Sequence, residues 1–211
     1  KIGKFFIELK QAAVTAVTIT EGIRNFRRNG SSKMMKSYLL GIDIGTSACK
    51  VAVFDKKGRV LAAANGDYPV YYPQEGWAEQ NPEEWWDAVC WASKETIQKA
   101  DIKPDEIAGI GIDGQSWSAI AIDKEGKVLT NTPIWMDTRA QSVCDRLNQE
   151  IGAEKIFEVA GNSLQPSYST AKILWYKENL PEVYAKIDKI LQSNSYICLL
   201  YTSPSPRDGL L

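Results

Sequence analysis

The chain has 211 residues, 44% hydrophobic and 24% charged, which fits one sizeable globular domain or two small ones and excludes a collagen-like, fibrous or wholly disordered chain. Its 25 Lys and Arg balance 26 Asp and Glu, without the basic excess of a nucleic-acid binder, and no apolar run reaches the ~18 residues of a membrane span. There is no His, so Ser–His–Asp and Cys–His constellations and His metal ligands are absent, and general-base chemistry falls to Asp, Glu or Lys.

Residues 1–33 carry seven Lys and Arg against two acids; the remainder carries 18 against 24. Met34-Met35 stands directly before the first clear strand. Residues 1–33 are therefore expected to be a non-native or disordered leader upstream of a natural start. A targeting peptide with Ala12–Val17 as its apolar segment, and an amphipathic helix over Phe5–Phe26, stand as alternatives. The domain proper is expected over 34–197.

From there the predicted elements run in order. An apolar strand over 38–44 leads into Gly45-Thr46-Ser47, and Cys49–Phe54 makes a second strand. Asp55–Gly58 is a turn with Gly where a positive φ is wanted, and Arg59–Ala64 returns as a third strand. Asn81-Pro82-Glu83-Glu84 starts a helix: Asn81 caps, Pro82 fits the first position, and Glu84 sits where a capping box reaches back. Trp86, Val89, Ser93 and Ile97 share one face of it, widened by Trp85 and Cys90, and it ends near Ala100. Ile107–Ile112 is a strand. Ala119–Ile122 and Lys127–Leu129 flank the turn Asp123–Gly126 as a second hairpin. Helices are expected over Arg139–Glu150, Ala171–Glu178 and Glu182–Lys186, and a last strand over Ile187–Leu191. Tyr201–Gly209 has no periodicity and two prolines, so 198–211 is expected to be an artefactual tail, of the kind produced when adapter DNA is translated. This order suits an α/β domain with a mixed sheet. Cys49, Cys90, Cys144 and Cys198 form no CxxC pair and read as buried free thiols of a reducing compartment.

The chemistry-bearing segment is Gly41-Ile42-Asp43-Ile44-Gly45-Thr46-Ser47. A carboxylate at the end of a buried strand is costly unless it is paired, hydrated or near a metal. The turn after it can offer N–H groups and hydroxyls to a phosphate while Asp43 holds a hydrated Mg²⁺. A hairpin turn in which Asp43 bonds its own backbone is the plain alternative. It is not a Walker loop, since no GK[ST] and no helix follow.

This segment resembles the first phosphate loop of the actin/hexokinase/Hsp70 superfamily. It is most similar to the FGGY carbohydrate kinases, xylulokinase-like branch. The resemblance runs from Tyr38 to Tyr196 and is also carried by Gly76–Trp86, Ile110–Trp117, Pro133–Arg139 and Thr170–Trp175. It implies the N-terminal half of an actin-like ATPase fold with a ribonuclease-H-type mixed sheet. It further implies ATP and Mg²⁺ as cofactors, a sugar or polyol as the small-molecule partner, a cytoplasmic setting, and a homodimer in the full-length form, with neither nucleic acid nor membrane as partner. Carried over, Asp43 organises Mg²⁺ through water. Gly45, Thr46, Ser47 and Lys50 face the phosphates. Gln115, Ser116 and Trp117 form the sugar-contacting loop, with Trp135, Asp137 and Ser167 lining the same site. Xylulokinases carry Met-His where this chain has Ser116-Trp117, which points away from xylulose itself. The family's catalytic Asp lies in a Gly-rich segment beyond residue 211, so no catalytic base is expected here and the chain alone is expected to be inactive. A non-catalytic sugar- or nucleotide-binding module of the same fold is the alternative; an acetate-type or N-acetylhexosamine kinase fits the tryptophan motifs less well. Arg139 is expected to pair with Asp137 or Asp113.

Overall fold

Alternation of apolar and polar residues builds the first sheet. In β1 (Tyr38–Ile44) Leu40, Ile42 and Ile44 are buried, while Leu39 and Asp43 face the other way. β2 (Ala48–Phe54) buries Cys49, Val51 and Val53 on the same principle. With β3 (Val60–Asp67) and β5 (Ile107–Gly114) they form one sheet in the order β3-β2-β1-β5. β1 runs antiparallel to β2 and parallel to β5, the ribonuclease-H-type mixed arrangement expected. The computed structural model describes residues 37–202; the expected leader 1–33 and most of the expected tail lie outside them.

Helix α1 (Pro82–Lys99) supplies the cover. Trp85, Val89, Ala92 and Ile97 are buried, and Thr96 Oγ1, which donates to the Ala92 carbonyl of its own helix at 2.7 Å, also lies 3.3 Å from the Val51 carbonyl of β2. Gly66 of β3 is needed here, because a Cβ at that position would lie 2.8 Å from the Ala88 carbonyl oxygen. The cap forms only in part. Asn81 Oδ1 accepts the Glu83 N–H at 3.0 Å, but Glu84 turns to accept the Tyr71 hydroxyl at 2.7 Å instead of reaching back to Asn81. A long-range hydroxyl outcompetes the local box.

The chain divides into two units. Among the described residues the first takes 37–68, Trp85–Gly114 and 197–202; the second takes Pro69–Glu84 and Gln115–Tyr196. The second holds two short antiparallel pairs. β4 (Glu79–Gln80) pairs with β7 (Thr132–Pro133), and β6 (Ile120–Ile122) pairs with β8 (Lys189–Leu191). Its core gathers Ala119, Ala121, Val143, Cys144, Ala171, Trp175 and Tyr176. Helices α2 (Gln141–Glu150), α3 (Ala153–Ala160), α4 (Ser169–Asn179) and α5 (Pro181–Tyr184) follow β7 in the chain, and α6 (Ser193–Thr202) closes the described residues.

The expected second hairpin forms around one bridge, Ile122 to Val128, with the Asp123 N–H on the Lys127 carbonyl and the Leu129 N–H on the Ala121 carbonyl, each at 3.0 Å, and distant β8 pairs with β6 as well. Three other expectations are corrected. Helix α3 was not expected, although Gly152 and Gly161 bracket it and Gly161 (φ 65°) ends it in the left-handed conformation. The stretch after residue 197 is helical as far as Thr202, and Tyr201 is buried. Cys49, Cys90 and Cys144 are buried free thiols as expected, but Cys198 is exposed. Among the described residues no helix is long and apolar enough to cross a membrane.

Candidate functional site

The expected site residues fall into two sets, one in each unit. In the first unit the turn between β1 and β2 is tightly specified. The Gly45 N–H donates to the Ala48 carbonyl at 3.1 Å, and a Cβ on Gly45 would lie 2.9 Å from that oxygen. Tyr68, buried at the end of β3, donates its hydroxyl to the Gly45 carbonyl at 2.6 Å, and its own N–H to the Ser47 carbonyl at 3.2 Å. Burial pushes the Tyr68 phenol well above its ordinary range, so it acts as a fixed donor. Thr46 and Ser47 thus sit at the tip of a turn clamped from both sides.

Asp43 and Lys50 stand opposite each other across the β1–β2 ladder, with Nζ 3.7 Å from Oδ2 and side chains 62% (Lys50) and 55% (Asp43) exposed. Asp43 is also in register with Asp113 across the parallel β1–β5 pair. The place of Asp113 beside Asp43 was missed by the sequence reading, although Asp113 closes a Gly-Ile-Asp run like that of Gly41-Ile42-Asp43. Among the described residues no group of three or more ligating side chains gathers. One or two solvated carboxylates beside a phosphate-sized turn fit Mg²⁺, which keeps most of its water and takes its remaining ligands from substrate phosphates.

In the second unit, the segment 115–119 is held by side chains. Ser193 Oγ donates to the Gln115 carbonyl at 2.8 Å, and Lys172 Nζ to the Trp117 carbonyl at 2.8 Å. Ser169 Oγ donates to the Ser118 carbonyl at 2.9 Å, and the Tyr176 hydroxyl to the Ala119 carbonyl at 3.0 Å. Ser169, Lys172 and Tyr176 are spaced three and four apart, one face of α4, so a single helical stripe fixes three carbonyls. Gln115 Nε2 donates to Gln80 Oε1 at 2.8 Å. Trp117 has φ 65°, a backbone state that costs a bulky residue about 1–3 kcal/mol and persists only where its surroundings impose it. Its ring lies 5.0 Å from that of Tyr168. Trp117 and Trp135 are each 44% exposed, unlike the tryptophans of the core. Ser116 is exposed, and Ser167 is half-buried in the turn that precedes α4.

Asp137 departs from expectation. It was expected to line the site, but it is fully buried and its carboxylate is engaged. It accepts the Ala78 N–H at 2.7 Å and the Arg139 Nε at 2.9 Å. Arg139, its side chain 3% exposed, also reaches Glu79 at 2.7 Å and lies 3.9 Å over the Trp77 ring. The expected pairing of Arg139 with Asp137 forms; Glu79 and Trp77 as further partners were not foreseen. Lys172, within the Thr170–Trp175 motif, has no role assigned from the sequence. It is fully buried, its Nζ also donates to the Ile134 carbonyl at 2.7 Å, and desolvation pulls its pKa down from 10.5 to about 7, with Asp137 opposing and Arg139 assisting.

Comparison with known proteins matches residues 38–204 to the N-terminal domain of the FGGY family of carbohydrate kinases. A glycerol kinase of Thermococcus kodakarensis is 34% identical over 74% of this chain. A ligand-bound xylulose kinase structure from Lactobacillus acidophilus is 30% identical over 77% of the chain, with a TM-score of 0.72. Plasmodium falciparum glycerol kinase with ADP is 26% identical over the same 77%, with a TM-score of 0.70. The matched region is about a third of each relative: 31%, 33% and 33% of their lengths.

Proposed function

We propose a role for each half-site from one premise: the chain belongs to the FGGY family of carbohydrate kinases, whose N-terminal domain it matches over residues 38–204. The protein phosphorylates a sugar or polyol hydroxyl at the expense of ATP. The turn Gly45-Thr46-Ser47, with Lys50 beside it, receives the transferred phosphate end of the nucleotide. Asp43, with Asp113 in register, would hold Mg²⁺ through its water shell, which would supply positive charge beside the phosphates. Gln115, Ser116, Trp117, Trp135 and Ser167 face the acceptor. An indole suits the apolar face of a carbon chain or ring, and the amide and hydroxyls suit its hydroxyl groups. Asp137 shapes this half from within and touches no acceptor. Buried free thiols agree with a cytoplasmic setting.

The observation that carries the reading is the clamped turn at the end of β1. A Gly whose Cβ would lie 2.9 Å from the Ala48 carbonyl oxygen stands two residues after an exposed carboxylate, and a buried tyrosine holds the turn's backbone. Most of the rate of phosphoryl transfer comes from positioning phosphates, metal and acceptor together. This chain's residues bind and orient; the reading places the acceptor-activating base outside them. ATP consumption by the purified chain with a panel of pentuloses, hexuloses and polyols tests this. The expected result is no turnover above the no-enzyme control. Turnover abolished by Asp43→Ala would place the base within these 211 residues and overturn the assignment of roles.

A further inference from the structure

The sharpest feature outside the expected set is a buried ammonium that joins two segments. Lys172 is fully buried on α4 and is bonded to the carbonyls of Trp117, at 2.8 Å, and Ile134, at 2.7 Å. The Ile134 carbonyl belongs to the peptide that enters Trp135. One Nζ atom therefore fixes the backbone on which the exposed indoles of Trp117 and Trp135 stand. An ammonium has three donors and no acceptor, so carbonyl oxygens are its natural buried partners. Burying it is costly, and a core with no task to perform would fill the position with Leu or Met. Its position coincides with the backbone strain of the molecule. Among the described residues only Asp101 and Trp117 are non-glycine residues with positive φ, and Trp117 is the bulky one.

We propose that Lys172 is the positioning residue of the acceptor half-site, holding Trp117 in its left-handed backbone and setting Trp117 and Trp135 as a fixed indole pair for a sugar or polyol. This rests on the acceptor reading above and adds to it the device that orients the pair. Tyr176 and Ser169 bond the same segment from the same helix face, but at Ala119 and Ser118. Their bonds reach neither Trp117 nor the Ile134 peptide. Lys172 alone among the three spans both.

The test reads the indole Nε1–H resonances of the full chain in two-dimensional NMR. Lys172→Met should move the Trp117 and Trp135 signals together, while Trp91 of α1 keeps its wild-type position. Tyr176→Phe removes a buried bond from the same segment and serves as the control; it should leave Trp135 in place. Unmoved Trp117 and Trp135 signals in Lys172→Met would overturn the proposal and leave the acceptor reading standing. Titration with ketoses and polyols separates the two ideas. Wild-type indoles should shift on binding, and Lys172→Met should bind at least tenfold more weakly. Indoles of the wild type that answer to no member of the panel would overturn the acceptor reading and, with it, the purpose assigned to Lys172. If Lys172→Met does not fold, the Trp117→Gly background decides, since Gly accepts the left-handed backbone unaided. The double variant should regain a cooperative unfolding transition, and one that stays unfolded would overturn the proposal.

Discussion

The two half-sites carry charge in opposite ways. At the end of β1, Asp43 and Lys50 are more than half exposed and face each other at 3.7 Å. Water screens them, and their mutual attraction contributes little to the fold. They are held ready by backbone: a glycine turn and the Tyr68 hydroxyl. In the second unit, Asp137, Arg139 and Lys172 are out of water. There the charges themselves hold the backbone, binding Ala78, Trp117 and Ile134. A phosphate site needs charges free to meet a charged ligand. A site for a neutral sugar or polyol instead needs surfaces fixed in place, and buried ions supply the fixing.

The largest effect should come from breaking the buried set. Arg139→Met leaves the Asp137 and Glu79 carboxylates without their partner, and urea unfolding should show a loss of about 3–5 kcal/mol. A loss under about 1 kcal/mol would erase the contrast between the halves. Next is the pH response of Lys172. Its folded pKa, about 7, is below the unfolded value of 10.5, so between them the unfolded chain binds the extra proton. Stability should therefore rise as pH climbs through that window, by on the order of 2 kcal/mol between pH 7 and 9. In Lys172→Met the rise should be missing from the same unfolding series; an unchanged pH profile would mean that Lys172 does not titrate there. Tyr68→Phe removes one buried donor from the Gly45 carbonyl and should cost about 1 kcal/mol, with faster amide exchange confined to the turn. Smallest of all, Lys50→Met should change stability by less than about 0.5 kcal/mol while weakening nucleotide binding.

Legibility divides along the same line. The first half-site is local: Asp43 to Lys50 lie in one hairpin, so strand alternation shows the strands and the turn, while the phosphate role and Lys50 came from the family resemblance. Only Asp113 escaped, since parallel pairing of β1 with β5 joins residues distant in sequence. The second half-site is built across the chain. Asp137 reaches Ala78, Arg139 reaches Glu79, and Lys172 reaches Trp117, each across more than fifty residues. Sequence pattern finds the helix that carries Lys172 but not the carbonyls it will meet. Asp137 was carried over with the family motif, and its burial shows only once the arginine two residues on folds back over it. The spacing of Ser169, Lys172 and Tyr176 on one helix face was the available signal, since polar residues on an otherwise apolar stripe must find buried partners. The β6–β8 pairing was missed in the same way, because the nearby turn shows the hairpin partner of β6 while β8 comes from more than sixty residues on.

Amide chemical-shift mapping of the full chain with Mg·ATP tests the central claim most directly. The account predicts that the perturbed amides are those of Gly45–Lys50 together with Asp43 and Asp113, and that Asp43→Asn abolishes the Mg²⁺-dependent part. Perturbations centred on Gln115–Ser118 with an unmoved Gly45–Lys50 turn would contradict it, because the nucleotide would then occupy the half of the chain assigned to the acceptor.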